Sequence, residues 1–288
     1  MSNLQTDSQE IPVASENSQG QYGSNTLHLD EHYLLAKQEY DQSLRDVGFK
    51  DGWKVLDAGC GTGVFTWQLS VFVGNTGEVT AYDHAPETIE TIEMQKGYDP
   101  SFVNVKAQLG SITSLPFPDN SFDAIWCANV TQYLTDQEMD QMMAEFKRVV
   151  REDGLVAIKE YDTALTQIHP VDMVLMWRLG EALIESGHVN TVGVLRSPIM
   201  SRWLRKQDME ILQRRTYIVE RTAPMEPFAL DYAIGTLQAL GGLAQVLNLS
   251  DEDKRAWQTI ADSAAEIMSD PDANYREMFT LTVGKVHK

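Results

Sequence analysis

Cysteine is nearly absent from this chain: Cys60 and Cys127 are its two among 288 residues. Two thiols cannot build a disulfide framework or a four-thiolate zinc site, so a reducing, cytoplasmic setting is expected. Basic residues are scarce as well. Lys+Arg 23 against Asp+Glu 42 leaves a formal charge of −19, which excludes broad attraction to phosphate backbones or anionic lipid surfaces, since both require positive potential. No nucleic acid partner is expected. No apolar run reaches the roughly 20 residues needed to cross a bilayer, so no stable membrane insertion is expected. The first 26 residues contain no Lys or Arg and no apolar stretch, so no secretory signal is read there.

What is present is an ordinary globular composition, 43% hydrophobic and 23% charged, enough for a sizeable core. Residues 1–26 are rich in Ser, Gln, Asn and Gly and are expected to be a flexible tail, because they have too little to bury to offset their ordering entropy. Residues 27–288 are expected to form one domain, with its core at 50–161. A helix is expected over Asp30 to Val47, carrying Tyr33, Leu34, Ala36, Tyr40 and Leu44. After Gly52, β-rich runs alternate with helical ones, as βαβ units require. Strands are expected at Lys54 to Gly59, Glu78 to Asp83, Phe102 to Ala107, Phe122 to Ala128 and Gly154 to Tyr161. Two more follow at Glu210 to Glu220 and Arg276 to Val286. Thr135 and Glu138 have the spacing of a capping box ahead of a helix with Met139, Met142, Met143 and Phe146 on one face. The fold class is therefore α/β, a Rossmann-like seven-stranded mixed sheet. Helical insertions at about 162–190 and 223–271 are too long for simple crossovers and form a cap. Val171 to Leu179 is apolar on nearly every face, which suits burial on two sides or the lining of an apolar cavity.

The segment "VLDAGCGTG", Val55 to Gly63, places glycines at the carboxyl end of the first strand, where open α/β sheets bind cofactors. A dinucleotide G-x-G-x-x-G would need a third glycine at 64 or 66, and those residues are Val64 and Thr66. A nicotinamide dehydrogenase is accordingly disfavoured. Asp83 ends the second strand twenty residues beyond Gly63, where a carboxylate can accept hydrogen bonds from ribose hydroxyls.

With "VTAYDHAPETIE" (79–90), "LGSITSLPFPDNSFDAI" (109–125) and "NVTQYL" (129–134) added in order, the chain resembles the class I S-adenosylmethionine-dependent methyltransferases, especially the quinone-biosynthesis branch. The resemblance covers Gly52 to Tyr161. It implies S-adenosyl-L-methionine as cofactor, with Gly59, Cys60, Gly61 and Gly63 around its methionine end and Asp57 assisting the ammonium group. It also implies Asp83 on the ribose with His84 alongside, Gly110, Ser111 and Ile112 near the adenine, and Asn129, Val130 and Gln132 beside the methionine moiety. Ser111 stands where the family usually has aspartate, and Gln132 where relatives often have histidine; glutamine cannot serve as a base at neutral pH.

Candidate bases are His28, His32, His84, His169, His188 and Glu160. His169 and Glu160 lead because they fall near the carboxyl ends of the strands, and Tyr33 is similar to aromatic residues that close over the methyl group in relatives. No acidic triad suggests a metal. The expected activity is methyl transfer to an O, N or C atom of an apolar small molecule. The rival is a methyltransferase-fold cyclase or binding protein that keeps the cofactor without transfer, and a homo-oligomer is left open.

Overall fold

The sheet order 3-2-1-4-5 of five parallel strands sets the frame of the computed structural model, which describes residues 26–162, 166–187 and 194–288. The strands are β1 (Lys54–Ala58), β2 (Glu78–Asp83), β3 (Val105–Leu109), β4 (Phe122–Ala128) and β5 (Val150–Tyr161). The runs of β1, β2, β4 and the second half of β5 are buried on both faces and so read as near-continuous apolar segments, whereas the edge strand β3 is largely open. The crossovers are α2 (Val64–Val73), α3 (Pro86–Tyr98) and α4 (Asp136–Val149). The capping box of α4 forms as expected, with Thr135 and Glu138 each satisfying the other's backbone N–H. Preceding them all is α1 (Thr26–Val47), which starts four residues before the expected Asp30 and buries Leu35, Ala36, Tyr40 and Leu44.

Past Tyr161 come β6 (Gln167–His169), α5 (Met173–Glu185), a 3-10 turn at Val194–Ile199, and α6 (Met200–Lys206). They are followed by β7 (Glu210–Thr222), α7 (Pro227–Val246), α8 (Asp251–Asp262), α9 (Ala264–Met268) and β8 (Asn274–Lys285). β8 lies antiparallel between β5 and β7. The seven expected strands are joined by an eighth, β6, which continues along the β5 edge of β8 beyond the end of β5. Because Tyr161 pairs with Phe279, residues 274–277 of β8 project past the carboxyl end of β5. They form, with β6 and the end of β7, a wall above that edge.

Two buried clusters lie on the two faces of the sheet. One joins α1, α2, α5, α7 and α8 to residues such as Trp126, Phe279 and Leu281. The other joins α4 and α6 to residues such as Ile125, Cys127 and Ile158. α7 packs on both α1 and α8.

Three local expectations shift. The third strand begins at Val105, because Pro100–Asn104 is a 3-10 turn in which the Asn104 amide donates to the Ser70 and Gly74 carbonyls while Phe102 packs on Trp67. The helical insertion expected at about 223–271 resolves into separate helices: α7 ends at Val246, and Ser250, whose hydroxyl accepts the Asp253 N–H, starts α8. α5 is not buried on two sides: Leu175, Leu179 and Ala182 face the core, whereas Trp177 is 64% exposed. The expected tail, apart from Thr26, lies outside the described residues, as does His188; nothing is described of the His28 side chain.

Candidate functional site

β1 ends against a loop in which Gly59, Gly61 and Gly63 all have positive φ. A Cβ on Gly59 would overlap the Val130 side chain, so the loop and the turn after β4 close on each other only because residue 59 is glycine. The Gly59 and Cys60 N–H groups donate to the Tyr82 carbonyl at 2.8 and 3.2 Å, which ties the loop to β2. No side chain caps α2 at Gly63, so the first-turn amides of that helix open onto the same edge.

Asp83 closes this loop from β2. Its Oδ2 accepts the Gly61 N–H at 3.0 Å and its Oδ1 the Ala85 N–H at 2.9 Å, with His84 Nδ1 3.3 Å from Oδ1. Burial pushes the Asp83 carboxyl up, but the His84 hydrogen bond and the two amides outweigh it and hold the group below the usual carboxylate range. The same contact raises His84. Asp57 behaves differently: burial pushes its carboxyl up to about 7 against the Thr66 hydroxyl, which donates to it at 2.5 Å. Burial also pushes the Cys60 thiol well up, so it has no thiolate character. At β3, the Gly110 N–H donates to the Asp83 carbonyl and Ile112 is buried, while the Ser111 hydroxyl pairs with Thr113 at 2.8 Å.

The turn after β4 is clamped by two adjacent residues of β5. Asn129, at φ 58, donates its N–H to the Lys159 carbonyl and accepts from Lys159 Nζ at 2.7 Å. Its carbonyl accepts from the Gln132 amide at 3.0 Å. On the opposite face of the sheet, Glu160 Oε2 accepts both the N–H and the hydroxyl of Thr131. Burial raises the Glu160 carboxyl although Thr131 and Lys159 oppose it.

The three expected catalytic side chains are dispersed, and no hydrogen bond joins any two of them. Glu160 is committed to Thr131, and its Oε1 accepts the Tyr161 N–H. Tyr33 sits at the α1–α2 junction, donating to Asp41, accepting from the Gln68 amide and packing edge-on against Phe65. His169 is exposed on β6, where it lines a cavity of about 260 Å³ with Gln167, Val171, Met173, Asn274 and Arg276.

What the sequence did not reveal is a buried polar chain on the α1 face. Lys159, 0% exposed, donates from Nζ to Tyr40 Oη at 2.9 Å and lies over the Tyr40 and Phe279 rings. Burial lowers it to about 7 despite the attraction of Glu160 and Glu277. Tyr40 Oη is 3.3 Å from His32 Nδ1, His32 Nε2 is 2.7 Å from Glu277 Oε1, and Glu277 Oε2 accepts the Tyr275 hydroxyl at 2.7 Å. A lysine and a glutamate side by side in the apolar run "GLVAIKEY" were the available signal, because a strand covered on both faces must bury both. Among the described residues, Glu152, Asp153 and His287 group closely enough to hold a metal. They lie at the amino end of β5, and Asp153 is paired with Lys285.

Residues 55–154 match a family model described as a methyltransferase domain. The demethylmenaquinone methyltransferase of Staphylococcus aureus is 35% identical over 141 residues, 48% of this chain and 53% of that protein. The chain thus spans about half the length of the curated relatives it matches. Among solved structures, a candidate methyltransferase from Bacillus halodurans superposes with TM-score 0.56 at 15% identity, over 88% of this chain and 99% of its own. The 4+2 cyclase SpnF gives 0.54 at 18%, over 88% and 82%. At such identities these two show the fold alone. No described helix is long and apolar enough to cross a membrane.

Proposed function

We propose that the chain, whose residues 55–154 match a methyltransferase domain, transfers the methyl group of S-adenosylmethionine to an apolar small molecule. Asp83 is the observation that carries this reading. A ribose diol needs a fixed, ionised, two-oxygen acceptor, and Asp83 is held by Gly61 and Ala85 in that state beside a loop too tight for any Cβ at residue 59.

The residues fit the cofactor from end to end. The uncapped amides of α2 suit its carboxylate, Asp57 its ammonium group, and Asp83 with His84 its ribose. Ile112 offers apolar cover for adenine, with Gly110 and Ser111 contributing backbone, since the Ser111 hydroxyl already pairs with Thr113. Cys60 and Gly63 shape the loop, and Asn129, Val130 and Gln132 frame the methyl side. S-adenosylmethionine supplies an activated methyl when bound, so the protein's main task is alignment, worth about 7–11 kcal/mol when reacting atoms are held near contact. Glu160 positions the 129–132 turn through Thr131.

The net charge of −19 argues against a polyanionic acceptor, and the aromatic packing of Tyr161, Tyr232 and Tyr275 near the carboxyl edge supports a neutral or apolar one. A quinone-like acceptor is supported by the name of the Staphylococcus relative. Both cysteines are free and buried, which suits a reducing cytoplasm. Gln132, whose amide closes its own turn, favours the rival in which cofactor is kept without transfer. Incubation with methyl-labelled cofactor and a panel of apolar acceptors separates the two: label extracted with the acceptor supports transfer, and cofactor recovered intact with rearranged acceptor supports the rival.

A further inference from the structure

We infer that Arg196, which lies outside the family-matched residues 55–154, is a positioning residue for methyl transfer: it fixes the turn after β4 that stands beside the methyl group of the cofactor. This rests on the methyl-transfer reading above and adds to it the group that sets where that turn stands.

The contacts are the first argument. Arg196 belongs to the 3-10 turn Val194–Ile199, and its side chain is 7% exposed. Its Nη1 donates to the Thr131 carbonyl at 2.8 Å and to the Leu134 carbonyl at 2.5 Å, and its Nη2 donates to Asp136 Oδ1 at 2.7 Å. Three acceptors spread from Thr131 to Asp136 are thus held by one planar group whose donors point in fixed directions. An ammonium has no such fork. The neighbouring Ser197, wholly buried, donates its hydroxyl to the Glu160 carbonyl at 3.2 Å. Glu160 in turn accepts the N–H and the hydroxyl of Thr131. A closed ring results, running from Arg196 to Thr131, on to Glu160, and back through Ser197.

The energetics give the second argument. Burying a guanidinium strips its hydration, and the carboxylate it pairs with, on Asp136, is 77% exposed and therefore screened by water. Such a pair adds little net stability, so what the buried charge supplies is direction.

The place of the turn is the third. At one end Asn129 is held by Lys159, and at the other Thr135 opens α4 with its capping box. Arg196 and Glu160 hold the stretch between, which carries the half-buried Val130 and Gln132. Val130 packs so closely on Gly59 that a Cβ there would overlap it, which sets this stretch against the cofactor loop. Alignment at a reacting centre is demanding, since a misplacement of about 1 Å can cost about 10²-fold in rate. Arg196 touches no reacting atom and acts through the turn.

The test uses S-adenosylmethionine with an isotopically labelled methyl carbon, observed by NMR in the bound state. Calorimetry with S-adenosylhomocysteine and thermal unfolding run alongside. In the wild type the bound methyl resonance should stand apart from the free one. In Arg196→Lys, which keeps the charge and loses the fork, it should leave its wild-type position while S-adenosylhomocysteine affinity stays within about tenfold, because Asp83 and the glycine loop are untouched. A merely structural role predicts a lower unfolding temperature with the resonance unmoved. An unmoved resonance in folded Arg196→Lys therefore overturns the inference. So does a loss of affinity beyond about tenfold, which would mean that the whole pocket has been damaged, or a wild-type resonance that binding does not shift. Should Arg196→Lys not fold, Asp136→Ala, a change at an exposed side chain that removes one of the three contacts, decides by the same signal: a displaced resonance supports the inference and an unmoved one overturns it. A wild type that binds neither S-adenosylmethionine nor S-adenosylhomocysteine overturns the methyl-transfer reading itself, and this inference with it.

Discussion

Two halves of the carboxyl edge are built in different ways. Around β1, β2 and β4 the site is made of backbone: three left-handed glycines, a row of amides, and one carboxylate that two of those amides hold in place. Beyond Tyr161 it is made of side chains, with Lys159, Tyr40, His32 and Glu277 linked in sequence from β5, α1 and β8. The first half suits a ligand whose functional groups never change. The second can differ between relatives without disturbing the first, and this is where substrate choice can reside.

Gly59→Ala strikes the backbone half hardest. A left-handed φ of 78 costs a non-glycine residue about 1–3 kcal/mol, and the added Cβ also overlaps Val130. Thermal unfolding should show the loss, and calorimetry should show S-adenosylhomocysteine binding weakened more than by any side-chain change of the second half. A variant that binds normally would mean that the loop does not need its closure onto β4.

Lys159→Met probes the side-chain half through pH. Burial lowers the folded lysine to about 7, so between that value and the ordinary lysine range near 10.4 the unfolded chain binds more protons than the folded one. Stability contributed by this group therefore rises with pH across that window, by at most about 1.4 kcal/mol per pH unit. Denaturant titrations at stepped pH should show this climb in the wild type and its loss in Lys159→Met. Parallel curves would place the lysine in a more hydrated setting than its 0% exposure indicates.

Trp177→Ser should do least, within about 0.5 kcal/mol, because the indole projects into solvent from α5. A larger loss of stability or of transfer would make that helix part of the acceptor site, as its all-round apolar sequence first suggested.

The same division governs what could be read from the residues. The glycine loop, Asp83 and the α4 capping box are short-range devices in which spacing alone carries the geometry, and their residues stand where the pattern put them. Element ends were less legible. The strand expected from Phe102 begins at Val105 because Asn104 finds its partners at Ser70 and Gly74, some 30 residues away. Least legible of all was the pairing of His32 with Glu277, separated by 245 residues. No local pattern distinguishes that histidine from the other candidates, and only the antiparallel last strand brings its carboxylate to α1. Glu160, favoured as a base because of its place on β5, turned out to hold a turn on the other face of the sheet.

The central claim is that this edge holds S-adenosylmethionine through Asp83. Calorimetric titration of the wild type and Asp83→Ala with S-adenosylhomocysteine tests it most directly. Wild-type binding in the micromolar range should weaken at least about tenfold in the variant, since one hydrogen bond to a charged group contributes about 1.5–3 kcal/mol. Equal affinity in the two proteins, or no binding to the wild type, would contradict the account.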